Sequence, residues 1–163
     1  MQIQYKGKEK FEIKMKDAVV RVGYNIKIDD FELPGPGEYE KKGISVFAIP
    51  DNENVINIIH AEEMNLCHLG KLTHDLSEEE VKKIGDIDIL FLPLGADGTL
   101  ELKKSLKVLS DVDPKVIIPM LYDDIEEFKK SEGMADGEFD ILKIKKAELP
   151  DDQRAIYILK ETS

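Results

Sequence analysis

The chain has 163 residues, the size of one domain, with 42% hydrophobic and 35% charged residues, a globular rather than disordered balance. Lys plus Arg is 23 and Asp plus Glu is 34, so the net charge of −11 argues against nucleic acid and anionic membrane surfaces as partners. Cys67 is the single cysteine, which excludes an intrachain disulfide, and no apolar run reaches the ~20 residues of a membrane span. The amino end alternates polar and apolar residues with no signal-peptide core, so the expected location is the cytoplasm.

In chain order, Ile3 and Tyr5, then Phe11, Ile13 and Met15, alternate with polar residues and predict a hairpin turning near Gly7. A third short apolar run covers 18–22. Leu33-Pro-Gly-Pro-Gly37 is the strongest breaker, a loop that is neither helix nor central strand. Extended runs are expected over 44–49, 55–60 and 65–68. Ser77 and Glu80 form a capping box, with Leu76 and Val81 as hydrophobic staple, and predict a helix ending at Gly85. A buried strand over 88–92 stops at Pro93. Thr99 is read as opening a second helix, with Leu102, Leu106 and Leu109 on one face. A buried strand over 116–118 stops at Pro119. Asp123 is expected to cap a third helix carrying Ile125 and Phe128 and ending at Gly133. Strands over 139–144 and 155–159 finish the chain. No repeat or linker interrupts residues 1–163, so one domain of two packed sheets with outer helices is expected.

Three stretches carry a family pattern. They are Pro34-Gly-Pro-Gly-Glu-Tyr-Glu40 with Gly43-Ile44, then Cys67-His-Leu-Gly-Lys-Leu-Thr-His74 running on to Ile84-Gly-Asp-Ile-Asp-Ile-Leu90, and Pro114-Lys-Val-Ile-Ile-Pro-Met-Leu-Tyr122. In this order, with the opening Ile3-x-Tyr5-x-Gly7, the chain resembles the Zn-dependent hydrolase-like branch of the metallo-β-lactamase superfamily. The resemblance covers most of the chain. It implies an α/β fold, a shortened αββα sandwich of two mixed β-sheets flanked by helices. It also implies a site at one sheet edge, where His and Asp side chains hold metal and activate water.

The positions that the family uses for that metal differ here. The first hairpin reads Gly7-Lys8 where the family has Gly-His. The His-x-His-x-Asp-His loop is absent, and the chain passes from Tyr24 straight towards the Pro-Gly loop. The Gly-Asp that supplies a bridging carboxylate reads Gly70-Lys71, and Met-His-Tyr reads Met120-Leu121-Tyr122. Lys8, Lys71 and Leu121 are therefore read as vestigial site positions. Two ammonium groups would repel a divalent metal. Either they replace its charge by pairing with carboxylates at that edge, or they are ordinary solvated lysines, as most lysines are.

His68, His74 and Asp75 are the remaining metal candidates, though their spacing matches no known His motif and the resemblance puts both histidines at framework places. Cys67 reads as a buried small hydrophobe rather than a nucleophile, since adjacent strand residues send Cys67 and His68 to opposite faces. Gly95-Ala-Asp-Gly98 lacks the lysine and Ser/Thr of a phosphate loop. The sequence thus favours a metallo-β-lactamase-fold protein that has lost its metal ligands: a binding or assembly module with no cofactor, an acidic pseudoenzyme. Its partner would be a second copy, met through residues 21–33, or another protein. The alternative is a metal-dependent hydrolase, with zinc, reorganised around His68, His74 and Asp75.

Overall fold

A computed structural model describes residues 1–133 and 137–163. Its strands are β1 (Gln2–Gly7), β2 (Lys10–Lys14), β3 (Val19–Val22), β4 (Ile26–Ile28), β5 (Phe31–Glu32), β6 (Gly37–Lys41), β7 (Ile44–Asp51), β8 (Asn54–Ala61), β9 (Met64–His68), β10 (Ile89–Pro93), β11 (Val116–Met120), β12 (Glu138–Phe139), β13 (Leu142–Lys143), β14 (Ala155–Ile156) and β15 (Ile158–Leu159). Its helices are α1 (Glu78–Ile84), α2 (Leu102–Val112) and α3 (Glu126–Glu132).

One sheet runs β13-β1-β2-β3-β4-β5 and is antiparallel throughout. The other runs β14-β11-β10-β9-β8-β7-β6, parallel from β14 to β9 and antiparallel from β9 to β6. β12 and β15 form a small parallel pair. Alternation in β1, β2 and β3 buries Ile3, Tyr5, Phe11, Ile13, Val20 and Val22 against Val46, Ile59, Ile89, Phe91 and Val116 of the second sheet. The second sheet's other face buries Ile56, Cys67, Leu90 and Ile117 against Leu109 and Phe128 of the helices. β10 and β11 are covered on both faces, which is why they read as unbroken apolar runs. This is the expected shortened two-sheet sandwich. The three helices all pack on the second sheet, and the outer face of the first exposes Gln2, Lys10, Lys14, Arg21 and Lys27.

The capping box of α1 is present, with the Glu80 amide donating to Ser77 Oγ at 3.1 Å and the Ser77 amide to Glu80 Oε1 at 3.0 Å. Two helix starts differ from expectation. Thr99 does not open α2; its hydroxyl donates to the Ala96 carbonyl and accepts the Gly95 amide, closing a one-turn 3-10 helix three residues earlier. The first amide of α3 is held by Asp124 rather than Asp123. The two C-terminal strand runs each divide, because β12 and β15 pair with each other while β13 joins the first sheet and β14 the second.

Candidate functional site

Parallel strands β9, β10 and β11 end along one edge, and ends of this kind are where open α/β sheets place their sites. The β1–β2 turn closes over them. Gly7 and Lys8 take φ of +94° and +51° there, and Tyr5 Oη donates to the Lys8 carbonyl at 2.6 Å. Burial pushes the Tyr5 hydroxyl up to about 12, so it stays a donor. Lys8 Nζ lies 3.8 Å and Lys71 Nζ 3.6 Å from the same Asp97 Oδ2. All three side chains are exposed, so these pairs add little stability. Their effect is on charge, with two ammonium groups facing one carboxylate.

Leu121 follows β11 with φ of +52°, costly for a leucine by about 1–2 kcal/mol. Its carbonyl accepts the Ala96 amide at 2.8 Å and the Leu94 amide at 3.3 Å, which holds the strained turn in place. Lys8, Lys71 and Leu121 thus converge on the Asp97 turn. Both ammonium groups there face the Asp97 carboxylate, and the pocket beside Lys8 is lined also by Asp123, Glu138 and Glu161.

His68, at the end of β9, is fully buried. The Gly70 amide donates to Nδ1 at 3.2 Å, so Nε2 carries the ring proton and donates to the Glu9 carbonyl at 2.7 Å. Burial lowers its pKa to about 4, partly opposed by the Glu9 contact. His68 therefore ties the loop bearing Lys71 to the turn bearing Lys8. With both nitrogens committed it has no lone pair for a metal. Cys67, its neighbour, faces the helical layer, and burial raises its thiol pKa far out of the reactive range.

His74 has different partners. Its Nε2 lies 2.6 Å from Oδ1 of Asp51, a buried carboxylate at the end of β7, and its Nδ1 lies 2.8 Å from the Asp75 carbonyl. The Asp75 contact, then Asp51, hold the ring's pKa above its usual value. Glu80, in the first turn of α1, completes a group whose ligand atoms all lie within 4.8 Å of one another. The site anticipated around His68, His74 and Asp75 is thus not what the fold assembles. His74 meets Asp51 and Glu80, Asp75 contributes its backbone, and His68 points into the core. Nothing in the sequence pairs Asp51 with His74, 23 residues on; their meeting depends on how β7, β8 and β9 stack.

A cleft of about 700 Å³ joins the two regions, lined among others by Glu9, Tyr24, Asp51, Lys71, His74 and Asp97. Tyr24 is 88% exposed at its rim. Glu9 is buried, and its Oε2 has no hydrogen-bond partner among the described residues. The cleft wall depends on Asn54, whose side chain donates to the Leu69 carbonyl and accepts the Lys71 amide, both at 2.9 Å. Gly70 sits inside this clamp at φ of +61°. An added Cβ would collide with Asn54 Oδ1 and lie 3.0 Å from the Val55 carbonyl oxygen. Gly70→Ala is expected to lose about 2–4 kcal/mol, from left-handed strain plus the broken clamp. A chemical-denaturation midpoint within experimental error of wild type would refute it.

Comparison with known proteins gives consistent findings. A family model described as "Beta-lactamase superfamily domain" matches residues 2–121. A Thermotoga maritima structure, described as a Zn-dependent hydrolase of the metallo-beta-lactamase superfamily, superposes with a TM-score of 0.82. Its identity is 24%, over 98% of each chain. A metallo hydrolase from the hyperthermophilic archaeon Ignicoccus hospitalis superposes with a TM-score of 0.62 at 14% identity, over 80% of this chain and 89% of that one. At such identities the likeness to the two structures shows the fold.

Proposed function

The chain belongs to the beta-lactamase superfamily, and we propose that within it this protein is a noncatalytic binding module. The observation that carries this reading is the convergence of Lys8 and Lys71 on Asp97 at the strand ends. At that edge the resemblance calls for metal ligands, and two ammonium groups disfavour a dication there. The adjoining cleft supports binding. Its wall holds a buried carboxylate oxygen, Glu9 Oε2, with no donor among the described residues, so a ligand bringing an N–H or O–H group would satisfy it.

The experiment is a turnover assay on ester, phosphodiester and lactam substrates with zinc supplied. The expected result is no rate above buffer. Turnover that a chelator abolishes would overturn the reading in favour of the second one, a metal-dependent hydrolase with its centre moved to His74. The observation favouring that second reading is the closeness of Asp51, His74 and Glu80. The partner surface proposed with the first is residues 21–33, where Tyr24 and Phe31 are exposed and β5 forms the sheet edge. A second copy of the chain is the occupant. A monomer throughout sedimentation analysis at high concentration would remove it.

A further inference from the structure

We propose that Asp51, His74 and Glu80 bind one divalent ion of the zinc class, on the flank of the cleft and apart from the strand-end edge. Three segments deliver the ligands: Asp51 at the end of β7, His74 in the loop before α1, and Glu80 in the first turn of α1. Around a tetrahedral zinc with bonds near 2.0–2.2 Å, ligand atoms stand about 3.3 Å apart. The Nε2–Oδ1 pair, at 2.6 Å, opens slightly to admit the ion, and the widest separation, within 4.8 Å, closes by side-chain rotation.

The outer contacts suit this role. When Nδ1–H donates to the Asp75 carbonyl, the Nε2 lone pair points at the Asp51 carboxylate. Two acceptors facing each other at that distance need a positive charge between them: a second ring proton supplies it in the metal-free protein, in keeping with the raised pKa, and the ion would take that proton's place. A backbone carbonyl on the far ring nitrogen is also the usual support of a metal-bound histidine. Glu80 is also held, because the Ser77 amide donates to its Oε1. Asp51 keeps only 6% of its side chain exposed, so little water competes for it. One imidazole with two carboxylates matches zinc, cobalt or iron(II) rather than calcium or magnesium, which take oxygen ligands. Two carboxylates and a neutral imidazole carry −2, which a dication balances. The positive end of α1 opposes the ion, but that short helix bears Glu78, Glu79 and Glu80 in its first turn.

The test uses chelator-treated full-length protein titrated with Zn²⁺ by calorimetry, and with Co²⁺ followed by visible absorption. The expected result is one equivalent of either ion and a cobalt spectrum of four-coordinate type. Glu80→Gln is the cleanest variant, because glutamine keeps the capping box while losing the charge. It should weaken Zn²⁺ by about 10–100-fold, and Asp51→Asn by at least as much, while His60→Gln leaves affinity unchanged. No binding by wild type, or equal affinity in Glu80→Gln and wild type, overturns the site. This outcome is separable from the turnover assay. Zinc bound without turnover supports both proposals, zinc with turnover keeps the site and removes the noncatalytic reading, and absence of zinc removes the site alone.

Discussion

Phe91→Ala is expected to cost about 3–5 kcal/mol of stability, the largest loss of any single truncation argued for this chain. Phe91 is fully buried on β10, between β9 and β11, where the two sheets meet. Its ring centroid lies 4.5 Å from that of Phe11 and 5.7 Å from that of His68. Three rings from three strands thus share one volume, with Phe11 and His68 edge to face and Phe91 tilted against both. Alanine would leave a cavity of phenyl size beneath the β1–β2 turn, and covered strands on either side cannot close it. For a domain of this length the loss lowers the melting temperature by roughly 10 °C. Guanidinium unfolding with an unchanged slope measures it. A midpoint shift worth less than 1 kcal/mol would mean that Phe91 is not packed as described.

The framework is legible in the sequence where the signal is local. Ser77 and Glu80 specify a helix start by themselves, because both halves of a capping box lie within four residues. The runs at β10 and β11 announce doubly covered strands, since only a sheet buried on both faces tolerates five consecutive apolar residues. β4 and β5 are missed for the opposite reason. Ile26 and Ile28 flank one lysine, and three residues are too few to display a period. The helix start assigned to Thr99 shows how a local signal misleads. Its hydroxyl caps a turn, as threonine does, but Gly98 at φ of +76° ends that turn before α2 begins.

The site is legible only in part. The resemblance picks out Lys8, Lys71 and Leu121, and the fold brings all three to the Asp97 turn. Asp97 itself gives no sign that it will face two lysines, because its neighbours are fixed by strand register and not by spacing. The partners of His68 and His74 escape for the same cause. The Glu9 carbonyl is 59 residues from His68, and Asp51 is 23 from His74. Contacts at such separations come from sheet topology, which no single-residue pattern encodes.

Stability is expected to fall by about 3 kcal/mol between pH 6.5 and pH 4 through His68 alone. The ring is buried and neutral in the folded chain, with its pKa near 4 against an ordinary 6.5. The unfolded chain therefore binds the proton that the folded chain refuses. Across this window stability rises with pH, by up to about 1.4 kcal/mol per pH unit. The contribution is complete above pH 6.5, declines as pH falls, and is fully lost below about 4. Carboxylates shape the acid limb as well, so the measurement is a difference. Urea unfolding of wild type and His68→Gln is compared at pH 7 and pH 4.5, and the wild type should lose more by about 2–3 kcal/mol. Equal losses would mean that His68 is solvated or already charged. The consequence reaches the site. A charged ring can no longer accept the Gly70 amide at Nδ1, and that bond holds the Lys71 loop against the Lys8 turn. Acid should loosen the two lysines from Asp97 before the sheets separate, because their exposed pairs hold nothing together without the histidine beneath them.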